Sequence, residues 1–175
     1  MKVGSCLLPF ACSSILALSL CPPASAEPAS TSFTVGGYEY AFTSTVGSFA
    51  GSGSGNAGET AVWNATVDHD PLGSMPTYID GGSVALATAS PSGHLDYVTG
   101  TLAHHGGAIT RLNSDSGCTN QQYLVKGALK EVATSTTSGG SGTFSVTLTH
   151  YRYSLFGYCV IYKATVKGSV SFSYG

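Results

Sequence analysis

The sequence predicts an all-β fold, an antiparallel up-and-down β-barrel or a β-sandwich of about eight or nine strands. Three observations carry this. Short runs in which apolar and polar residues alternate recur from residue 33 to residue 174. Gly, Pro, Asp and Ser clusters punctuate those runs at regular spacing. No stretch beyond residue 26 sustains a helical period. Successive strands that pair with their neighbours favour the barrel, and closing the sheet removes exposed edges.

Residues 1–26 are read as a secretory signal peptide. Met1 and Lys2 give a positive start, residues 7–20 are mostly apolar, and Ala24-Ser25-Ala26 is an A-x-A cleavage site before Glu27. Cys6, Cys12 and Cys21 leave with it. The expected product is a single all-β domain, 27–175, which is secreted to an extracellular or periplasmic compartment. Its two cysteines, Cys118 and Cys159, predict one disulfide.

The first strand is expected over 33–42, with Tyr38, Tyr40 and Phe42 on one face and Gly36-Gly37 weakening it. The Gly/Ser-rich 47–58 stretch reads as a loop, because it has little to bury. Ala61, Trp63, Ala65 and Val67 alternate with Thr60, Asn64, Thr66 and Asp68, which turns the only tryptophan inward. Asn64-Ala65-Thr66 is an N-glycosylation acceptor on the polar face.

Asp80-Gly81-Gly82 reads as a turn between short strands at 77–79 and 83–88, and Pro91-Ser92-Gly93 as another. Residues 95–104 and 108–112 read as a hairpin closed at Gly106-Gly107. Three long strands follow at 121–132, 142–152 and 159–174. In the last, Val160, Tyr162, Ala164, Val166, Val170, Phe172 and Tyr174 share one face, while Lys163, Lys167 and serines share the other.

Two stretches look like copies. Cys118 precedes Lys126-Gly127 by the same interval as Cys159 precedes Lys167-Gly168. In an antiparallel meander, their strands flank the middle one at about 9.5 Å from each other, beyond the reach of a disulfide. The cysteines must therefore meet at the end of the middle strand, stapling the loop at 153–158. The paired glycines are expected to mark a shared bend.

Charge is unevenly placed. Residues 27–100 carry seven acids and no Lys or Arg, whereas residues 101–175 carry six basic residues and two acids. The halves are expected to neutralise one another across one domain, and the negative total argues against nucleic acid as a partner.

Two groups could carry function. His69, His104 and His105, with Asp68 or Asp96, offer imidazole and carboxylate ligands for a divalent metal such as zinc, if their strand ends converge. Adjacent strand residues point to opposite faces, which opposes a joint role for His104 and His105. Tyr151, Arg152, Tyr153, Phe156 and Tyr158 form the second group, aromatic and Arg residues around the stapled loop of the kind that recognises proteins or sugar rings.

The chain has no H-E-x-x-H, G-x-S-x-G, C-x-x-C, phosphate loop or dinucleotide fingerprint. It lacks the several tryptophans with which biotin-binding barrels line their pocket, and Ala61 stands where the lipocalin glycine-x-tryptophan signature needs glycine. An outer-membrane barrel would suit the aromatic end at Phe172 and Tyr174, but the disulfide fits it poorly. The expectation is a binding or surface module for an extracellular protein or glycan, without cofactor or membrane association. The alternative is a small extracellular, metal-assisted hydrolase using His69, His104 and His105 with Asp68 or Asp96.

Overall fold

A computed structural model describes residues 29–73, 75–114 and 116–174. The expected leader, residues 1–26, lies outside the described residues. The eight strands are β1 (Ala29–Phe42), β2 (Val46–Gly55), β3 (Thr60–His69), β4 (Thr77–Ala89), β5 (Leu95–Arg111), β6 (Gln121–Thr134), β7 (Gly140–Leu155) and β8 (Tyr158–Tyr174). Each pairs antiparallel with the next, and β1 pairs with β8 from Ala29↔Tyr174 to Tyr38↔Thr165, closing the barrel.

Period-two alternation decides what is inside. In β8, Ala164, Val166, Val170 and Phe172 are buried, while Lys163, Lys167 and Ser169 face out. Phe172, Ile79, Leu86, Leu129 and Val132 are the largest fully enclosed side chains. Burying each such residue contributes about 1.5–3 kcal/mol. Among the described residues, the lysines Lys126, Lys130, Lys163 and Lys167 all stand on the outer wall. The outer wall also carries apolar and aromatic side chains, with Tyr40, Val62, Tyr97 and Tyr162 all exposed.

Three expected elements differ from the structure. The 47–58 loop is largely β2, a full strand. Its glycines are what the packing requires: a Cβ at Gly53 would lie 2.7 Å from the Thr34 carbonyl, and one at Gly37 on the neighbouring strand 2.8 Å from the Trp63 ring. The expected turn at Asp80-Gly81-Gly82 and the expected hairpin at Gly106-Gly107 are instead continuous through β4 and β5. These glycines mark bulges rather than reversals. Two mergers and the added strand β2 turn the nine expected strands into eight.

Trp63 points inward, and its indole N–H donates to the carbonyls of Gly36 at 3.2 Å and Ser52 at 3.1 Å. Tyr162 departs from its expected face. Tyr151 pairs with Lys163 and Arg152 with Ile161, so Tyr162 is the extra residue of a bulge and stands outward.

Cys118 and Cys159 form a disulfide with Cα atoms 5.3 Å apart. It sits where β6 and β8 pass the end of β7, since Cys159 pairs with Ser154 near the last residues of that strand. The bond is compatible with an extracellular or periplasmic compartment. An apolar void of about 60 Å³ lies in the interior, walled by Val35, Phe49, Trp63, Leu86, Leu102 and Val166 among others. A dry cavity that admits benzene measures about 150 Å³, so this barrel is packed rather than a container.

Candidate functional site

The β7–β8 hairpin is the most exposed aromatic feature. Leu155 pairs with Tyr158, leaving Phe156-Gly157 as a two-residue turn. Both turn residues have positive φ, 50° and 83°, as in a type I′ turn. That turn favours Asn-Gly or Asp-Gly, and a bulky aromatic in the left-handed region is an outlier. Phe156 is 93% exposed and Tyr158 76%. Behind the tip, the Tyr162 ring packs edge-on to Tyr153 at 5.6 Å and lies 6.4 Å from Tyr151. The Lys163 ammonium sits 5.6 Å from the Tyr151 ring centroid.

The hairpin is held from below. The disulfide fixes Cys159, and the Arg152 backbone N–H donates to Asn120 Oδ1 at 3.1 Å in the loop that carries Cys118. Asn113 pins the same loop: its amide donates to the Asn120 carbonyl at 2.6 Å and its Oδ1 accepts from the Gln122 N–H at 2.8 Å. Of the aromatic and Arg residues singled out in the sequence, Tyr153, Phe156 and Tyr158 are exposed, whereas Tyr151 and Arg152 are half-buried. Past Lys163 and Thr165 the surface runs into an open depression of about 950 Å³ on the outer wall. Its floor is made of small residues such as Gly36, Ala50 and Ala85, and Tyr38, Val62 and Tyr97 rise from its lining.

No family model, curated protein or solved structure matches this chain. Its chemistry has to be read from its own geometry.

The metal-ligand candidates separate into four places. His69 is inside the barrel, with Nδ1 2.7 Å from the Asp70 carbonyl, which can only accept, so Nδ1 carries the proton. Asp68 is half-buried in β3, opposite Gly81. Asp96 is at the far end of the barrel, beside the β6–β7 turn. There the Ser135 side chain, then the backbone N–H groups of Tyr97 and Ser135, hold its carboxyl below the usual carboxylate range, with burial opposing them. Only His104 and His105 come together, and the carboxylate they meet is Asp80. His104 Nδ1 lies 3.0 Å from Asp80 Oδ1 and His105 Nε2 3.9 Å from it.

A fourth cluster was not singled out in the sequence. His150 Nε2 lies 2.7 Å from Glu39 Oε2, and the two side chains are only 7% and 5% exposed. The Tyr123 ring packs edge-on to His150, and its hydroxyl donates to Gln121 Oε1 at 2.9 Å. The adjoining void measures about 40 Å³ and is walled by Phe42, Phe49, Val67, His69 and Leu148 among others. That is room for water but not for a substrate. The signal that could have found the pair is strand parity: Glu39 shares the parity of the inward Phe33 and Val35, and His150 that of Leu148.

The expected charge neutralisation is not made through lysine ion pairs. His104 and His105 pair with Asp80, and His150 pairs with Glu39. None of them involves Lys126, Lys130, Lys163 or Lys167.

Proposed function

We propose that this chain is an exported recognition module that binds an extracellular protein or glycan through the β7–β8 hairpin. The observation that carries this is Phe156. An aromatic side chain stands almost fully in solvent at a turn position where Asn or Gly would be less strained. An outlier held at a solvent-facing tip, braced by a disulfide and backed by Tyr153 and Tyr162, fits a contact surface better than a fold requirement. Tyrosines supply large amphipathic contact area at low entropic cost. The packed interior supports the same reading, because it leaves the outer surface as the place to bind.

The leader at 1–26 and the disulfide support secretion to an oxidising compartment. The net charge disfavours nucleic acid. Of the ligands named for the hydrolase alternative, His104 and His105 gather with Asp80, in a group that does not include His69, Asp68 or Asp96.

The test compares wild type with Phe156→Asn and with Phe156→Ser/Tyr158→Ser for binding to the envelope and secreted polymers of the producing cells. Phe156→Asn installs the preferred type I′ pair. Binding should drop at least tenfold while the melting temperature stays level or rises. Unchanged binding in both variants would sink the proposal.

A further inference from the structure

We infer that Asp80, His104 and His105 form a solvent-facing site for a divalent transition-metal ion of the zinc type. The site lies on the β4–β5 wall, separated from the β7–β8 hairpin by β6, and stands independently of the recognition reading.

The backbone builds this constellation at three irregularities that coincide. Asp80 is the extra residue of a bulge between β3 and β4, where Asp68 pairs with Gly81 and His69 with Ile79. Between β4 and β5 the pairing is interrupted from Tyr78↔Ala108 to Ser83↔Thr101. Between β5 and β6 it shifts between Leu102↔Leu129 and Gly107↔Gly127, leaving His104 and His105 outside the ladder. His105 has φ 55°, an uncommon conformation for a residue with a side chain. This removes the objection that neighbouring strand residues face opposite ways. The two imidazoles lie on one side, stacked with centroids 3.9 Å apart, and both address one carboxylate. Bulges commonly re-aim side chains at functional sites.

The glycines around the site permit this. Gly82, at φ 128°, could not carry a Cβ without striking the Thr66 carbonyl. A Cβ at Gly106 would lie 2.8 Å from the Ala103 carbonyl.

The donor atoms fit a metal better than they fit each other. Asp80 Oδ1 is shielded from solvent and has no hydrogen-bond donor, although His104 Nδ1 is only 3.0 Å away. The imidazoles at 3.0 and 3.9 Å are its ion-pair partners, and a shared cation would satisfy all three donor atoms at once. Two ligands of one tetrahedral zinc, each bonded at 2.0–2.1 Å, stand about 3.3 Å apart. The separations of 3.0 and 3.9 Å from Asp80 Oδ1 bracket that value, and all three donor atoms lie within 4.8 Å of one another. Both histidines are exposed, so their rings can close the remaining distance. Two imidazoles with one carboxylate suit zinc and its neighbours in the first transition row, whereas Ca²⁺ and Mg²⁺ prefer oxygen ligands throughout. Three protein ligands leave at least one coordination position open to water.

The test is calorimetric titration of the full exported chain, free of any histidine tag, with Zn²⁺ at neutral pH. One ion per chain is expected, with no heat from Mg²⁺ or Ca²⁺. Asp80→Asn and His104→Ala should each weaken binding at least tenfold. His94→Ala, at an exposed histidine elsewhere on the barrel, should leave it unchanged. His105→Gly relieves the backbone and removes a ligand, so it should lose Zn²⁺ while keeping the fold by circular dichroism. Absence of Zn²⁺ binding, or binding that these three substitutions leave intact, would overturn the inference.

Discussion

Glu39 and His150 show what a pair of side chains can do to a core. Each was moved out of water, and each is tolerated because the other is 2.7 Å away. Removing one partner leaves an uncompensated buried polar group, which typically costs about 3–5 kcal/mol. His150→Leu and Glu39→Leu should therefore each destabilise strongly in urea unfolding, while the double variant should cost less than either. A double-variant loss equal to the sum of the two single losses would mean the pair is not coupled. His105 makes the opposite case. Its left-handed backbone is strained without being needed for the core, so His105→Gly should raise stability by up to about 1 kcal/mol. Asp96 supplies a pH dependence. Its folded pKa is lowered, so its contribution is present in full above the ordinary carboxylate value, about 3.9, and is lost as pH falls below that through the folded value. Asp96→Asn should flatten that acid limb by under about 1 kcal/mol, because solvent screens the group.

Among the elements, the β6–β7–β8 meander is tied together most firmly. The disulfide closes 41 residues of chain across it. By the loop-entropy argument, cutting it costs about 4 kcal/mol. Cys118→Ser/Cys159→Ser should lower the urea midpoint by a corresponding amount. It should also loosen the tip, seen as faster amide exchange at residues 153–160 than at 164–172. Uniform exchange across β8 would mean that the tip is held by its own strand pairing. Strand β2 makes a different point. A Gly/Ser sequence has little intrinsic preference for a strand. It forms one here because β1 and β3 supply hydrogen-bond partners on both sides and its glycines let β1 approach closely, a Cβ at Gly51 meeting the backbone of Gly36 and Gly37.

Across the whole molecule, closure turns an amphipathic sheet into a packed core with no free edge. The closing seam, β1 against β8, runs for ten residue pairs and joins the two ends of the described chain. Because Trp63 walls the 60 Å³ void, its fluorescence reports on the interior. Retinol or a fatty acid should leave that emission unchanged, whereas quenching at micromolar ligand would reveal an interior that opens.

What could be read from the residues alone is what depends on one strand at a time. Alternation gave the all-β class, the inward Trp63 and the faces of β8 from Ala164 onward. Cysteine parity, together with strand spacing, gave the disulfide and its place at the end of β7. What needed the assembled barrel is whatever depends on two strands compared with each other. A bulge is a mismatch in residue count between partners, so Asp80, the His104–His105 pair and Tyr162 could not be assigned to a face from their own segments. Local glycines at 81–82 and 106–107 read equally well as turns. Glu39 and His150 meet across 111 residues, and only closure of β1 onto the later strands brings them together. Sequence periodicity is a local property, whereas register and bulge position belong to the ladder, and the ladder exists only once the barrel has closed.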